Sequence, residues 1–448
     1  MRVSHEVPIS FLQESQVFND YDYCLLHLTY EREEYRSYYK NAVKQGREVL
    51  LDNSLFELGD ALTLEQVAEG VRDINPTWVV VPDCLNEKDT TIQRFLEWES
   101  KYSNLNVGTI GVVQGKTLSE MIECYKFMSK HADKIAIPFD SKAFETLVAG
   151  GEATKTREEL LEVWCQGRQY FVGYLICEGI WDNNKPHHLL GCSYAKEFSN
   201  MFYGRYIDTV DTSNPVVAAI KGLKYTMEGL TTKPSIMLCD LIDHQFTEEE
   251  KQLMLYNTTM FKYICGSRPK WIAFYSQTGS EIANLIKRGF YPHTIVTNKQ
   301  DLSNMPDEFK LCTVVRLPDR PSVKDYLNLV FVPRNIQLDK AIITLHGYLR
   351  IIPEVVCNMY DTWNLHPGLI TKYPELKGFN PQEKAYKLQL PEIGAVIHKV
   401  VPEVDSGEIV MESKAFSTGK LTLDDFYNIL HREATEMWVD FLNRRFNN

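Results

Sequence analysis

The stretch Thr362-Trp363-Asn364-Leu365-His366-Pro367-Gly368-Leu369 reads as a strand that ends in a turn, with two polar groups set where the strand stops. Residues at i and i+2 of a strand point to the same face, so Asn364 and His366 reach toward one spot. A second apolar run, 395–401, carries His398, and Asp405 follows seven residues after that histidine in Val404-Asp405-Ser406-Gly407. Taken singly, each of these residues is as readily a loop or capping residue as a functional one. Together an Asn, two His and an Asp make a group that can stabilise an oxyanion and move a proton.

Working outward, strands are expected at 271–276, 293–297, 340–345, 362–365 and 395–401, with a helix at 281–288 after a Gly-Ser turn. That is one α/β domain over residues 268–448. Its motifs are Gly347-Tyr-Leu-Arg-Ile-Ile352, Asn364-Leu-His-Pro-Gly-Leu369, Lys372-Tyr-Pro374, and His398 through Asp405-Ser-Gly407. In order and spacing this set resembles glycinamide ribonucleotide formyltransferase and, more loosely, methionyl-tRNA and sugar-nucleotide formyltransferases. The resemblance implies a Rossmann-like fold, 10-formyltetrahydrofolate as donor, and Asn364, His366 and Asp405 as catalytic groups. It also implies that Tyr348, Leu349, Arg350, Ile351, Ile352 and His398 line the folate pocket. Attack of an amine on a formyl carbon needs donors to the developing oxyanion, here His366 and Asn364, and a carboxylate that holds the His or a relay water, here Asp405. The family's phosphate-binding turn, Gly-Ser-Asn, reads Gly279-Ser280-Glu281 here. Gly279 and Ser280 at a helix start suit an anion, but the Glu281 carboxylate opposes a phosphate, so the expected acceptor amine is not glycinamide ribonucleotide.

The whole chain of 448 residues is too long for one ordinary core. A formal net charge of −12 argues against a general nucleic-acid coat protein and leaves room for a local basic groove. Ten cysteines lie scattered without CxxC pairs, as in a reducing compartment. The start MRVSHEVPIS lacks the basic-then-apolar order of a signal peptide, and no apolar run approaches a bilayer-spanning length. The expected setting is cytoplasmic, in a bacterial or phage-infected cell, with no membrane partner.

Residues 1–267 alternate short apolar runs with amphipathic stretches. Strands are expected at 23–28, 48–52, 78–82, 107–113, 134–139, 187–191, 206–212 and 235–239, with helices at 63–74, 90–102 and 118–131. Such alternation implies parallel strands with crossover helices, and the expected fold is an α/β TIM (β/α)8-type barrel fused to the Rossmann-like domain.

Four motifs fall at or just after the ends of these strands, where barrel active sites are built: Asp52-Asn-Ser-Leu-Phe56, Pro82-Asp83-Cys84, Gly111-Val-Val-Gln114-Gly115 and Val210-Asp211-Thr-Ser-Asn-Pro215. An Asp at a strand end commonly caps the next helix. Converging carboxylates also suit substitution at a sugar's anomeric carbon. As a set the motifs resemble tRNA-guanine transglycosylase. The resemblance implies Asp52 as general acid/base, Phe56 as a platform for the base, and Asp83, Gln114 and Gly115 as base-binding residues. It implies Asp211 as nucleophile, with Asp208 the rival under a shifted alignment. The family's CxCxxC…His zinc site is missing, and no metal site is expected. Its glycine-rich segment is replaced by Ile135-Ala-Ile-Pro-Phe-Asp140. Similar zinc-free relatives occur among phage DNA-modifying transglycosylases, so DNA is the expected partner.

His187-His188 sits on a strand, where neighbours face opposite ways, and reads as structural. The stretch 32–47, mixed in charge and rich in tyrosine with Tyr30, Tyr35, Tyr38 and Tyr39, reads as a solvated helix face, or as a surface for a nucleic-acid backbone with aromatics stacking on bases. Together the expected function is exchange of guanine for a 7-deazaguanine base in nucleic acid, with formylation of an amine on that base. The alternatives are a small-molecule N-formyltransferase whose barrel binds or makes the acceptor, and a barrel that only presents a nucleic acid.

Overall fold

The computed structural model describes residues 1–149, 156–198, 203–331 and 341–446, and the chain divides into two compact units, Met1–Ser267 and Arg268–Asn448. The first unit contains β1 (Arg2–Ser4), β2 (Asp22–Leu25), β3 (Val49–Asp52), β4 (Trp78–Val80), β5 (Gly108–Val112), β6 (Lys134–Pro138), β7 (His187–Leu190) and β8 (Thr209–Asp211). They form one eight-stranded sheet in the order β1-β8-β7-β6-β5-β4-β3-β2, and every pairing is parallel. The ladder stops between β1 and β2, where other groups take over. The Asp20 N–H donates to the Val3 carbonyl (3.0 Å), the Val3 N–H to Asp20 Oδ2 (2.8 Å), and the Tyr23 N–H to Ser4 Oγ (3.2 Å). The sheet is thereby a nearly closed barrel.

Helices around it start on reciprocal capping boxes, Thr63 with Gln66 and Thr117 with Glu120, which satisfy otherwise orphaned N–H groups. The helix Leu118–His131 buries Met121, Cys124, Tyr125 and Met128, one face at helical spacing.

Two expectations about strands are corrected. Residues 235–239 form no strand; Pro234, Ile236, Met237, Leu238 and Cys239 instead edge a cavity, and Cys239–Leu241 is a single 3-10 turn. The eighth strand is β1, whose three residues are too few for periodicity to reveal. The run 23–28 is a strand only to Leu25, because Leu26–Glu31 turns helical. In the helix Glu33–Lys44 the side chains of Tyr35, Tyr38 and Tyr39 are buried, so they serve the core and offer no stacking face to a nucleic acid. Tyr35 Oη accepts the Leu25 N–H, and Tyr39 Oη donates to the Tyr23 carbonyl.

The second unit has a seven-stranded sheet in the order β11-β10-β9-β12-β13-β15-β16 and a two-stranded ribbon, β14 (Glu392–Ile393) with β17 (Phe416–Ser417). The large sheet comprises β9 (Trp271–Tyr275), β10 (Thr294–Thr297), β11 (Val314–Arg316), β12 (Ile342–His346), β13 (Asp361–His366), β15 (Val396–Lys399) and β16 (Ile409–Glu412). Residue 340, the first of the expected strand 340–345, lies outside the described residues. The strands from β9 to β13 are parallel, and β15 and β16 continue the sheet antiparallel. Because β10 and β11 lie on one side of β9 and β12 on the other, the order reverses at the β9/β12 boundary. In open α/β sheets the crevice beyond the carboxyl ends at such a reversal receives ligands. The loops that follow β9, β12 and β13 all leave at that edge. The expected folate segment follows β12, and Asn364 and His366 end β13.

Candidate active sites

In the C-terminal unit the four polar groups meet. Asn364 lies opposite His398 in the antiparallel register, and its Nδ2 is 3.2 Å from His398 Nε2. His398 Nδ1–H donates to the Lys399 carbonyl at 2.9 Å, and Nε2 faces both the Asn364 amide and the Asp405 carboxylate. Asp405 bridges both rings: Oδ2 is 3.2 Å from His366 Nδ1, and Oδ1 is 3.4 Å from His398 Nε2. The Gly378 N–H donates to Asp405 Oδ2 at 2.8 Å. Burial alone would raise the Asp405 carboxyl, but the bonds from His366, His398 and Gly378 outweigh it and hold the group well below the usual carboxylate range. Asp405 has φ of 49°, a left-handed conformation that Asp tolerates because its short side chain bonds locally. His366 Nε2 faces the Leu376 carbonyl at 2.9 Å, a contact the sequence did not foretell. Both ring nitrogens of His366 therefore face acceptors.

The neighbouring segment exposes apolar side chains at the same sheet edge. Leu349 is 40% and Ile351 73% exposed, whereas Tyr348 and Ile352 are buried in the core. Tyr348 Oη bonds Tyr326 Oη at 2.9 Å, so that side chain serves packing. Arg350 is tied to Asp319 at 2.8 Å, and the Leu349 N–H donates to Ser276 Oγ at 2.8 Å, joining this segment to the end of β9. Gly279, at φ 72°, opens the helix Ser280–Lys287, and Thr278 Oγ1 lies 2.9 Å from Ser280 Oγ. Glu281 in the first turn is engaged by His346 Nδ1 at 3.1 Å.

In the N-terminal unit, Asp52, Phe56, Asp83, Gln114 and Asp211 all line one cavity of about 350 Å³ at the carboxyl ends of the barrel strands. Asp83 is buried and accepts from Asn53 Nδ2 (2.8 Å) and Gln114 Nε2 (2.7 Å). Asp211 accepts the Gly191 N–H at 3.0 Å and lies 3.1 Å from His188 Nε2. The same peptide is held from its other side, because Arg168 donates to the Leu190 carbonyl at 3.1 Å and pairs with buried Glu197 at 2.7 Å. Phe56 is 66% exposed, an aromatic face at the cavity. Asp208 is elsewhere: it precedes β8 and is paired with Arg2 (3.1 Å) and Lys134 (3.3 Å).

Gly115 does not line the cavity. A Cβ there would come within 2.8 Å of Glu120 Cβ and of the Met121 nitrogen, so glycine at 115 serves close packing against the helix Leu118–His131 rather than a base. Glu6, Glu57 and Asp140 also line the cavity, and sequence reasoning missed all three as site groups. Glu57 directly follows Phe56, which was the available signal. Burial pushes the Asp52 carboxyl up to about 7 and the Glu57 carboxyl up to about 8. Burial also raises Glu6 well above its ordinary value, with Asp211, Glu57 and Asp52 adding repulsion. His187 points away from the cavity and stacks on Trp181 at 3.6 Å. Among the described residues no group of three or more His, Cys, Asp or Glu is arranged to hold a metal ion, and no helix is long and apolar enough to cross a membrane.

Residues 331–442 match the family model described as Formyl transferase. A methionyl-tRNA formyltransferase of Thermotoga maritima is 26% identical over 113 residues, which is 25% of this chain and 34% of that protein. A phosphoribosylglycinamide formyltransferase of Haemophilus influenzae is 31% identical over 93 residues, 18% of this chain and 42% of that protein. The chain thus spans about a third of the length of the Thermotoga relative. Among solved structures, a phosphoribosylglycinamide formyltransferase from Streptococcus pneumoniae aligns over 39% of this chain and 98% of its own, at 21% identity and a TM-score of 0.35. It is the family-model match over residues 331–442 that shows a formyl transferase domain in the C-terminal unit.

Proposed function

We propose that the chain is a bifunctional base-modifying enzyme that exchanges guanine for a 7-deazaguanine base in nucleic acid, DNA in preference to RNA, and formylates an amine on that base. The observation that carries the formyl-transfer half is the contact of Asp405 with His366 and His398, beside Asn364, inside the segment that matches the formyl transferase model. The donor is 10-formyltetrahydrofolate, which supplies a formyl group already activated for attack by an amine. Exposed Leu349 and Ile351 suit the flat face of its ring system, and Arg350 and the backbone around it offer polar edges. Asn364 and His366 donate to the oxygen where charge develops, His366 exchanging the Leu376 carbonyl for that oxygen. Asp405, held as a carboxylate, fixes the His366 ring and takes part in proton movement from the amine.

For the barrel, support comes from Asp52, Asp83, Gln114 and Asp211 facing one cavity. Asp211 forms a bond to the anomeric carbon as the bond from that carbon to guanine breaks. The electron pair leaves with guanine, which takes a proton from Asp52. The incoming base reverses the sequence, returning its proton to Asp52 and freeing Asp211. Asp83 and Gln114 read the edge of the base. The additional carboxyls Glu6 and Glu57, held protonated by burial, would ionise beside a cationic amine and so favour an incoming base that carries one, and an amine is what the second domain needs as its acceptor.

The test is incubation of the purified chain with 10-formyltetrahydrofolate and a 7-aminomethyl-7-deazaguanine, as free base and in DNA. Formamide formation on that amine, with glycinamide ribonucleotide a poor acceptor, is expected. Equal activity on glycinamide ribonucleotide would sink the reading.

A further inference from the structure

His188 was read from the sequence as structural, yet its ring faces the cavity's central carboxylate. It is fully buried, and Tyr23, whose own hydroxyl is near Asp52, lies over it nearly parallel at a ring separation of 6.1 Å. Nδ1 lies 2.9 Å from Thr209 Oγ1. With the Thr209 hydroxyl donating there, the neutral ring carries its proton on Nε2, on the side of Asp211. Nε2 is 3.1 Å from Asp211 Oδ1, but the approach is off-axis, and this buried N–H has no aligned hydrogen-bond partner. Catalytic bonds are commonly misaligned before substrate binds and tighten in the complex. Around Asp211, the Gly191 N–H lies near both oxygens, at 3.0 and 3.1 Å, while His188 approaches Oδ1 alone. Oδ2 is left as the freer oxygen.

We propose that His188 is a positioning residue for Asp211: its Nε2–H pins Oδ1 as substrate binds and so aims Oδ2 at the anomeric carbon. The assignment rests on the base-exchange reading of the barrel. It goes beyond that reading by giving a role to a ring that touches neither base nor sugar. The charged groups acting on His188 besides Asp211 are Lys134 and Arg168. Burial lowers the imidazole's affinity for a proton, and those two cations lower it further, against Asp211. A neutral donor orients the nucleophile without cancelling its charge, as an imidazolium would.

The experiment compares the full-length wild type with His188→Phe, His188→Gln and Asp211→Ala in exchange of labelled guanine from DNA. KM for DNA, kcat and the melting temperature are measured for each. His188→Phe keeps the ring stack on Tyr23 and removes the N–H. A misaimed nucleophile should lower kcat about a hundredfold with KM unchanged. His188→Gln, whose amide N–H can reach the same oxygen, should recover about tenfold of that loss. Wild-type kcat in His188→Phe would overturn the assignment alone. So would an equal loss in both variants that tracks a fall in melting temperature, since that marks a merely structural role. If the wild type exchanges no guanine, the base-exchange reading fails and takes the assignment with it.

Discussion

His366 Nδ1 lies 3.2 Å from Asp405 Oδ2, and that carboxylate is itself anchored by the Gly378 N–H at 2.8 Å. The pair joins the end of β13 to a loop that follows β15, so the His366 ring is oriented by a residue that the fold brings back from 39 positions further along the chain (405 minus 366).

Removing either expected oxyanion donor should slow formyl transfer without unfolding the domain. His366→Ala and Asn364→Ala are each expected to lower kcat about 10²- to 10³-fold. Steady-state transfer from 10-formyltetrahydrofolate to an amine measures it. A change of only a few-fold in both would place the chemistry elsewhere.

Asp405→Asn is a mild change for the backbone, since Asn also tolerates the left-handed conformation at 405. The folded carboxyl is depressed, so its contribution to stability is full above the ordinary carboxylate value and is lost as pH falls toward the folded one. Urea unfolding should therefore show wild type weakening below about pH 4, with Asp405→Asn weakening less over the same range.

The cavity carboxyls act with the opposite sign. Glu57 is raised from 4.5 to about 8 and Asp52 from 3.8 to about 7, so each contributes fully below its ordinary value and loses that contribution as pH rises through the folded one. Wild type should melt at a lower temperature at pH 8 than at pH 5, and Glu57→Gln should flatten the dependence. Parallel melting curves for the two proteins across that range would contradict the burial of Glu57.

Gly407 stands where a Cβ would run into the Lys399 carbonyl, and Lys399 pairs through its N–H with the Glu408 carbonyl at 2.8 Å. Gly407→Ala must push the loop off β15 and with it Asp405. A cost of about 1–3 kcal/mol is expected, with formyl transfer impaired. Thermal melting and activity together check it, and full activity at wild-type stability would show that the loop is not tied in this way.

Legibility in the sequence followed the strength of the local pattern. The helix Leu118–His131 was readable to its ends, because a capping box opens it and one buried face runs through it. Strands β11 and β16 were not readable: they are half-exposed edge strands without a buried apolar run. Asp52, Asp83, Gln114 and Asp211 could be picked out because strand ends are marked by short polar motifs after apolar runs. Glu6 and Asp140 could not, since nothing local separates a carboxylate that faces a cavity from one that faces water. His188 was visible as half of a His-His pair. Its role depends on Thr209 and Asp211, which only the pairing of β7 with β8 brings alongside it.

The most direct test of the two-step account is mass spectrometry of nucleosides from DNA and tRNA of cells expressing wild type, Asp211→Ala or His366→Ala. The account predicts a modified deoxyguanosine in wild-type DNA that is absent with Asp211→Ala and lighter by one carbonyl group with His366→Ala. No new nucleoside in either polymer would contradict it, and would leave a formyltransferase acting on a small-molecule amine.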